Sequence, residues 1–260
     1  MVDAARSLIA DIPTPAVPAW SRDAAALAWL WDDGDGWEVW AADAAGQHAR
    51  KLASGAMLGP IDWTSGREVL FARRAESGTV IAAVDVDSGT LRNVTSGPSD
   101  RAPRCAPDGE AVAFLSDRAG HIDVWRAPTA GGAATQLTER TNPLDEPRWA
   151  PIWSPDGRWI AYVSSRSGQR NNDDLWLVSH EGREHRQLTT GLIVSDDPCW
   201  SPDGSTIAVI ATTGQEPWFG DDSDLWLVAL DDVTPRRVTH GGGVAYPRAG
   251  GGLAWSPDGA

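Results

Sequence analysis

Cysteine is nearly absent from this sequence: Cys105 and Cys199 are the only two in 260 residues. They fall in the third and fifth of six sequence repeats, which are not neighbours. That placement argues against a disulfide and fits a reducing compartment. Lysine is scarcer still, since Lys51 alone accounts for it among 22 basic residues; we read this as coding bias without functional meaning. No apolar run is long enough to cross a bilayer. The opening MVDAARSLIADIPTP offers only Leu8–Ala10 where a signal peptide needs a longer apolar core, so a cytoplasmic chain is expected.

Familiar catalytic phrases are missing too. There is no G-x-S-x-G nucleophile elbow, no Walker loop and no dinucleotide fingerprint. Five histidines (His48, His121, His180, His185, His240) are scattered, and only His180 and His185 lie close, without the companions zinc requires. Asp32-Asp33-Gly34-Asp35-Gly36 fails the spacing of a calcium loop and reads as a tight turn. Neither a metal nor a cofactor is expected, and no catalytic residue can be named. The net charge of −14 would repel nucleic acid and anionic membrane surfaces. Its simplest consequence is solubility.

What the chain does have is a repeat. WSPDG stands at 153–157, 200–204 and 255–259, with CAPDG at 105–109 and the degraded copies WSRDA at 20–24 and WTSG at 63–66. The anchors at 20, 63, 105, 153, 200 and 255 are spaced by 43, 42, 48, 47 and 55 residues. A period in the forties marks a repeat architecture. Pro presets φ for the second turn position, Asp tolerates the third and Gly accepts positive φ at the fourth.

Each turn leads into an apolar strand: LAWL (27–30), VLFA (69–72), VAFL (112–115), WIAYV (159–163) and IAVI (207–210). A third strand follows (EVWAA, VIAAV, DVWR, LWLV, LWLV), then a more exposed fourth (RKLA, RNVT, TQLT, RQLT, RRVT). Four antiparallel strands per repeat make one propeller blade. The expected fold is an all-β propeller with five complete blades, starting near 16, 59, 102, 149 and 197, and a sixth begun near 252. Residues 1–12 form a lead segment with at most one helical turn, and 13–260 form the propeller. Five blades and one strand leave free edges, so an incomplete ring and a truncated chain are expected. Most of the 15 tryptophans recur at repeat positions (Trp153, Trp200, Trp255; Trp125, Trp176, Trp226) and read as packing between blades.

Meander topology separates two rims. Links between strands one and two and between three and four are short. Links from strand two to three and from blade to blade are long, as at 139–151, 165–174, 212–224 and 240–252. Binding usually sits on long loops over a rigid scaffold. The candidate residues for contact with a substrate or partner are therefore Arg170, Asn171, Asn172 and Asp173, with Glu216, Trp218, Phe219 and Asp221. Glu216, Trp218 and Phe219 set an acid and two large aromatics in a solvent-facing stretch.

The order W-S-P-D-G, apolar strand, D-[LI]-W-[LV], [RQ]-x-[LV]-T resembles the WD-like propeller repeat over residues 12–259. That repeat occurs in the N-terminal propeller of prolyl oligopeptidase family serine peptidases, including the acylaminoacyl-peptidase and dipeptidyl-aminopeptidase branch. It also occurs in the periplasmic propeller protein of the Tol translocation system. The missing export signal, the opening IADIPTPAVPAWSRDAAALAWLWDD and TTGLIVSDDPCWSPDG at 189–204 resemble the peptidases. The resemblance implies a non-catalytic propeller that gates and recognises peptides for a C-terminal α/β-hydrolase domain of the same polypeptide, which holds the catalytic Ser, Asp and His. No position here matches those three. Some members hold the substrate's free amino group with an acid on a propeller loop; Glu216 is the candidate, with no motif to fix the match. The alternative is a stand-alone propeller serving as a protein interaction scaffold.

Overall fold

A computed structural model describes residues 15–32, 34–76, 78–139, 146, 147, 149–165, 173–213, 223–240, 253–256, 258 and 259. Every regular element among them is a strand. The expected helical turn near 3–11 lies outside the described residues. Two compact units result, residues 1–112 with 127–134, and residues 113–126 with 135–260.

In the first unit, β1 (Pro15–Trp20), β2 (Ala26–Asp32), β3 (Trp37–Asp43) and β4 (Arg50–Ala56) form a meander. The next repeat contributes β5 (Asp62–Trp63), β6 (Glu68–Ala75), β7 (Gly78–Asp85) and β8 (Leu91–Asn93). A single pairing of Ala56 with Arg73 joins the two meanders edge to edge into one eight-stranded sheet. The third repeat, whose residues are divided between the two units, supplies β9 (Arg101–Cys105), β10 (Ala111–Ser116), β11 (Asp123–Pro128) and β12 (Thr135–Gln136), in the order β12-β11-β10-β9.

The middle strands are apolar on both faces because both faces are covered. Ala28, Leu30, Val39 and Ala41 enter one core with Trp63, Val69, Phe71, Ala82 and Val84 of the second repeat. Leu27, Trp29 and Ala42 form a separate cluster on the opposite face, where the Trp29 and Trp40 rings stack 6.5 Å apart. Each fully buried Leu, Val or Phe contributes about 1.5–3 kcal/mol, so these seams supply most of the cohesion.

The second unit repeats this logic. β13 (Ile152–Trp153), β14 (Trp159–Ser164), β15 (Asp174–Ser179) and β16 (His185–Gln187) form one sheet. β17 (Ile193–Val194), β18 (Cys199–Trp200), β19 (Thr206–Thr212), β20 (Asp224–Ala229) and β21 (Arg236–Arg237) form another. The register pairs Ala161 with Leu177 and Val163 with Leu175. That face packs on Ile207, Val209, Ala211 and Val228. The outer strands are shorter than the sequence pattern implies. Their closing Thr leaves the ladder because its hydroxyl takes a main-chain N–H of strand three: Thr138 from Val124, Thr189 from Leu175 and Thr239 from Leu225.

The WSPDG turn is built around its serine. Ser154 Oγ donates to Asp156 Oδ1 (2.6 Å) and accepts the N–H of Trp159 (2.9 Å). Ser201 repeats this with Asp203 and Thr206, and Ser21 with Asp23 and Ala26. The glycine closing each turn has positive φ: 79° at Gly109, 71° at Gly157 and Gly204, and 73° at Gly259.

Two departures in the first copy have separate physical meanings. Arg22 stands where proline is usual, and its guanidinium donates to the carbonyls of Cys105, Ala106 and Pro107, latching the first repeat's turn to the third's. Ala24 occupies the glycine position at φ 55°. A left-handed conformation is unfavourable for any residue with a Cβ. Ala24→Gly should therefore stabilise the protein by about 0.5–1 kcal/mol, after glycine's larger loss of chain entropy is counted. Urea unfolding of the two proteins tests this; an unchanged or lowered midpoint contradicts it.

Candidate functional site

The long-loop rim is anchored by carboxylates at the first residue of strand three. Asp123, Asp174 and Asp224 are almost wholly buried. Each accepts a hydrogen bond from a threonine fifteen residues on: Thr138 (2.8 Å), Thr189 (2.9 Å) and Thr239 (2.8 Å). The threonine Oγ1 also accepts the N–H of the residue after the aspartate, so one hydroxyl ties strand four to strand three. These clamps hold the roots of the loops at 164–174 and 212–224.

The first unit varies the theme. Val80 occupies the carboxylate position of the second repeat, and Asp100 reaches Thr95 Oγ1 from the following link. In the first repeat Glu38 accepts from Trp40 Nε1 (2.9 Å) and Lys51 Nζ (2.8 Å).

The remaining partner tunes each carboxyl. Burial pushes Asp174 up to about 6, although Thr189 and Gln187 donate to it. Burial also raises Asp123, against Thr138, His121 and Gln136. Asp224 is subject to the same burial, but Thr239 and the Arg237 guanidinium outweigh it and hold the carboxyl below its usual value. Gln187 and Arg237 occupy the same repeat position, so a neutral donor at Asp174 is replaced by a charged one at Asp224. Burial raises the half-buried Asp196 as well, and its Oδ2 accepts no hydrogen bond.

Of the loop residues singled out in the sequence, Asp173 alone is within the described structure. It is half-buried; its Oδ1 accepts from Ser165 Oγ and its carbonyl from the N–H of Val194 (2.9 Å). Asp173 thus ties the loop's root to the next repeat. Arg170, Asn171, Asn172, Glu216, Trp218, Phe219 and Asp221 lie outside the described residues. The Asp–Thr clamps escaped the sequence reading. Their signal was present as the spacing of D-[LV]-W and the closing Thr, but nothing local says that the two ends meet.

The short-loop rim of the second unit holds a groove of about 640 Å³. Leu227, Ala229, Thr206, Arg236 and Trp255 line it, and Asp203 and Asp232 rim it. The matching face of the preceding sheet is sealed, with Leu175 and Leu177 at 0% and 1% exposure, whereas Leu225 and Leu227 are half-buried. Among the described residues no group of three or more His, Cys, Asp or Glu could hold a metal ion. Cys105 is pushed up to about 11, first by burial and then by the Asp62 charge, which makes it a poor nucleophile near neutral pH.

Comparison with known structures matches this architecture. A structure of a putative TolB from Agrobacterium tumefaciens superimposes on 95% of this chain and 87% of its own, with a TM-score of 0.70 at 23% identity. The fold is a β-propeller. Puromycin hydrolase shares that fold over 88% of this chain and 38% of its own (TM-score 0.66, 18% identity). In sequence, the uncharacterized peptidase YuxL of Bacillus subtilis is 31% identical over 170 residues, covering 63% of this chain and 24% of YuxL. The Tol-Pal system protein TolB of Anaeromyxobacter dehalogenans is 28% identical over 129 residues, covering 49% of this chain and 28% of that protein. The chain therefore spans about a quarter of the length of these relatives. No family model matches it. Propellers of peptidases and of TolB proteins are thus both relatives.

The contrast between Asp174 and Asp224 yields a pH prediction. The folded pKa of Asp174 lies above the unfolded value of 3.8, so the folded chain retains this proton up to about pH 6. Its stabilising contribution is complete below the unfolded pKa and is lost as the pH rises through the folded one. Asp174→Asn should therefore remove a fall in Tm seen in the parent between about pH 4 and pH 6.5. Gln187→Arg, which reproduces the Arg237 arrangement, should shrink the same fall. Identical pH profiles for all three proteins would show that Asp174 does not titrate in this range.

Proposed function

We propose that this chain is the non-catalytic propeller portion of a cytoplasmic serine peptidase of the prolyl oligopeptidase family, in its acylaminoacyl-peptidase and dipeptidyl-aminopeptidase branch. It gates and orients peptide substrates, and an α/β-hydrolase domain of the same polypeptide cleaves them. The match to a peptidase carries this reading because it runs further along this chain: 31% identity over 170 residues, against 28% over 129 and 32% over 151 for two TolB proteins. In this reading the propeller has more than five blades, with Trp255 opening the sixth on the forward face of blade five. The long-loop rim faces the hydrolase domain, and Arg170, Asn171, Asn172, Asp173, Glu216, Trp218, Phe219 and Asp221 contact substrate or partner.

A specific observation favours the second reading, a stand-alone scaffold of the Tol type: the fold accounts for 87% of the putative TolB chain but 38% of puromycin hydrolase. The reading frame beyond codon 260 separates the two. A hydrolase sequence with G-x-S-x-G followed by Asp and His supports the peptidase, and a stop codon after one further blade supports the scaffold. The isolated 260-residue chain should not cleave aminoacyl or N-acetyl-aminoacyl chromogenic substrates. Turnover that survives purification would refute the division of labour. In the complete enzyme, Glu216→Ala should raise KM for a substrate with a free amino terminus about tenfold, as loss of a charge-assisted contact does, and leave Tm unchanged.

A further inference from the structure

The repeat phrase closes on Asp-Gly at 108–109, 156–157, 203–204 and 258–259. In all four turns the glycine N–H donates to the carbonyl three residues back at 2.9 Å, so its nitrogen is placed alike in each. The carboxyls are not held alike. Asp156 accepts from Ser154 Oγ (2.6 Å), the Arg158 N–H (3.0 Å) and Arg158 Nε (2.6 Å). Asp203 accepts from Ser201 Oγ (2.6 Å) and from the N–H (3.0 Å) and hydroxyl (2.9 Å) of Ser205. Burial opposes ionisation of Asp156, but Ser154 and Arg158 outweigh it and keep the carboxyl below its usual value. The Ser201 hydrogen bond does the same at Asp203. In the third repeat Ala106 stands where the serine would be, and the exposed Asp108 carboxyl takes the Glu110 N–H at 2.9 Å. Glycine has no side chain to shield its nitrogen from a neighbouring carboxyl.

We propose that Asp108 is a site of spontaneous isoaspartate formation, and that the serine of WSPDG guards Asp156 and Asp203 against the same reaction. The Gly109 nitrogen attacks Asp108 Cγ while the carboxyl is uncharged. The N–Cγ bond forms, the Cγ–OH bond breaks, and the hydroxyl leaves as water with the proton from the nitrogen. Water then opens the five-membered imide at the main-chain carbonyl, and the chain thereafter runs through the side-chain carbons. Before Cγ can reach the nitrogen the carboxyl must release its donors, one at Asp108 but three each at Asp156 and Asp203. Arg22 bonds the carbonyls of Cys105, Ala106 and Pro107 and leaves the Asp108 side chain untouched. The product adds a methylene to the main chain beside Gly109, where even a Cβ would stand 2.0 Å from Ser65 Oγ. The altered turn cannot keep that seat, and the Arg22 latch goes with it. The inference does not depend on the peptidase reading.

Incubation of the 260-residue chain in mildly acidic buffer, well below its Tm, tests this. Electron-transfer fragmentation of its peptides distinguishes isoaspartyl from aspartyl residues. Asp108 should convert about tenfold faster than Asp156 or Asp203, the scale of one or two hydrogen bonds. Ala106→Ser supplies the missing hydroxyl and should bring Asp108 down to the rate of the other two. Ser154→Ala should speed conversion of Asp156 by a similar factor without changing that of Asp108. If Ser154→Ala fails to fold, the Ala106→Ser comparison still decides. In urea the three Pro-Asp-Gly sites should convert at like rates, because the guard belongs to the folded turn. Equal rates in the folded chain, or an Asp108 rate unmoved by Ala106→Ser, would overturn the inference. The same excess at Asp108 in urea would also overturn it, by assigning the difference to local sequence. The converted chain, separated by chromatography, should melt below the parent; an unchanged Tm would contradict the crowding of Gly109 against Ser65.

Discussion

An indole N–H donating to a main-chain carbonyl one blade back is the contact on which the rest of this structure depends. A four-stranded sheet with apolar residues on both faces cannot stand alone in water; it needs a neighbour on each side. The Trp63–Ala19, Trp200–Ile152 and Trp255–Cys199 bonds fix where that neighbour sits. With the inner strands placed, Ile207, Val209 and Val228 share one buried core with Ala161, Val163, Leu175 and Leu177. Where the tryptophan is missing, another group takes over the inner-strand junction. Cys105 replaces it in the third repeat, and Asp62 Oδ2 accepts the Cys105 N–H at 2.8 Å.

A second layer of polar contacts works within each blade. The Asp–Thr clamps bind the exposed fourth strand, which has little apolar surface, to the buried third. Such buried networks are costly unless complete, and here the hydroxyl both donates and accepts. The clamps differ in their remaining partners, among them Gln136, Gln187 and Arg237; burial raises Asp123 and Asp174, and the Thr239 and Arg237 hydrogen bonds outweigh it at Asp224.

Much of the fold was legible in the sequence because its signals are local. Short continuous apolar runs identified strands two and three, and Pro-Asp-Gly identified the turn, with Gly157 and Gly204 both at φ 71°. Other features were hidden because they join residues far apart. Asp174 and Thr189 each look like ordinary polar residues until the β15–β16 hairpin brings them within 2.9 Å. Arg22 reads as a corrupted proline, and its bond to Ala106 eighty-four residues on supplies the reason. The outer strands ended early because threonine hydroxyls compete with the ladder for main-chain N–H groups, which propensity does not register.

The sequence by itself determined the repeat, its period, the four strands of each unit and the turn that starts it, since these follow from side-chain periodicity and backbone sterics. Tertiary structure alone decided which tryptophans are sealed and which is bare, and which buried carboxyl is raised. Trp20 and Trp200 open the same phrase, yet one is half exposed and the other covered. A residue's burial and charge state belong to the neighbours that folding brings to it, and no local pattern specifies those neighbours.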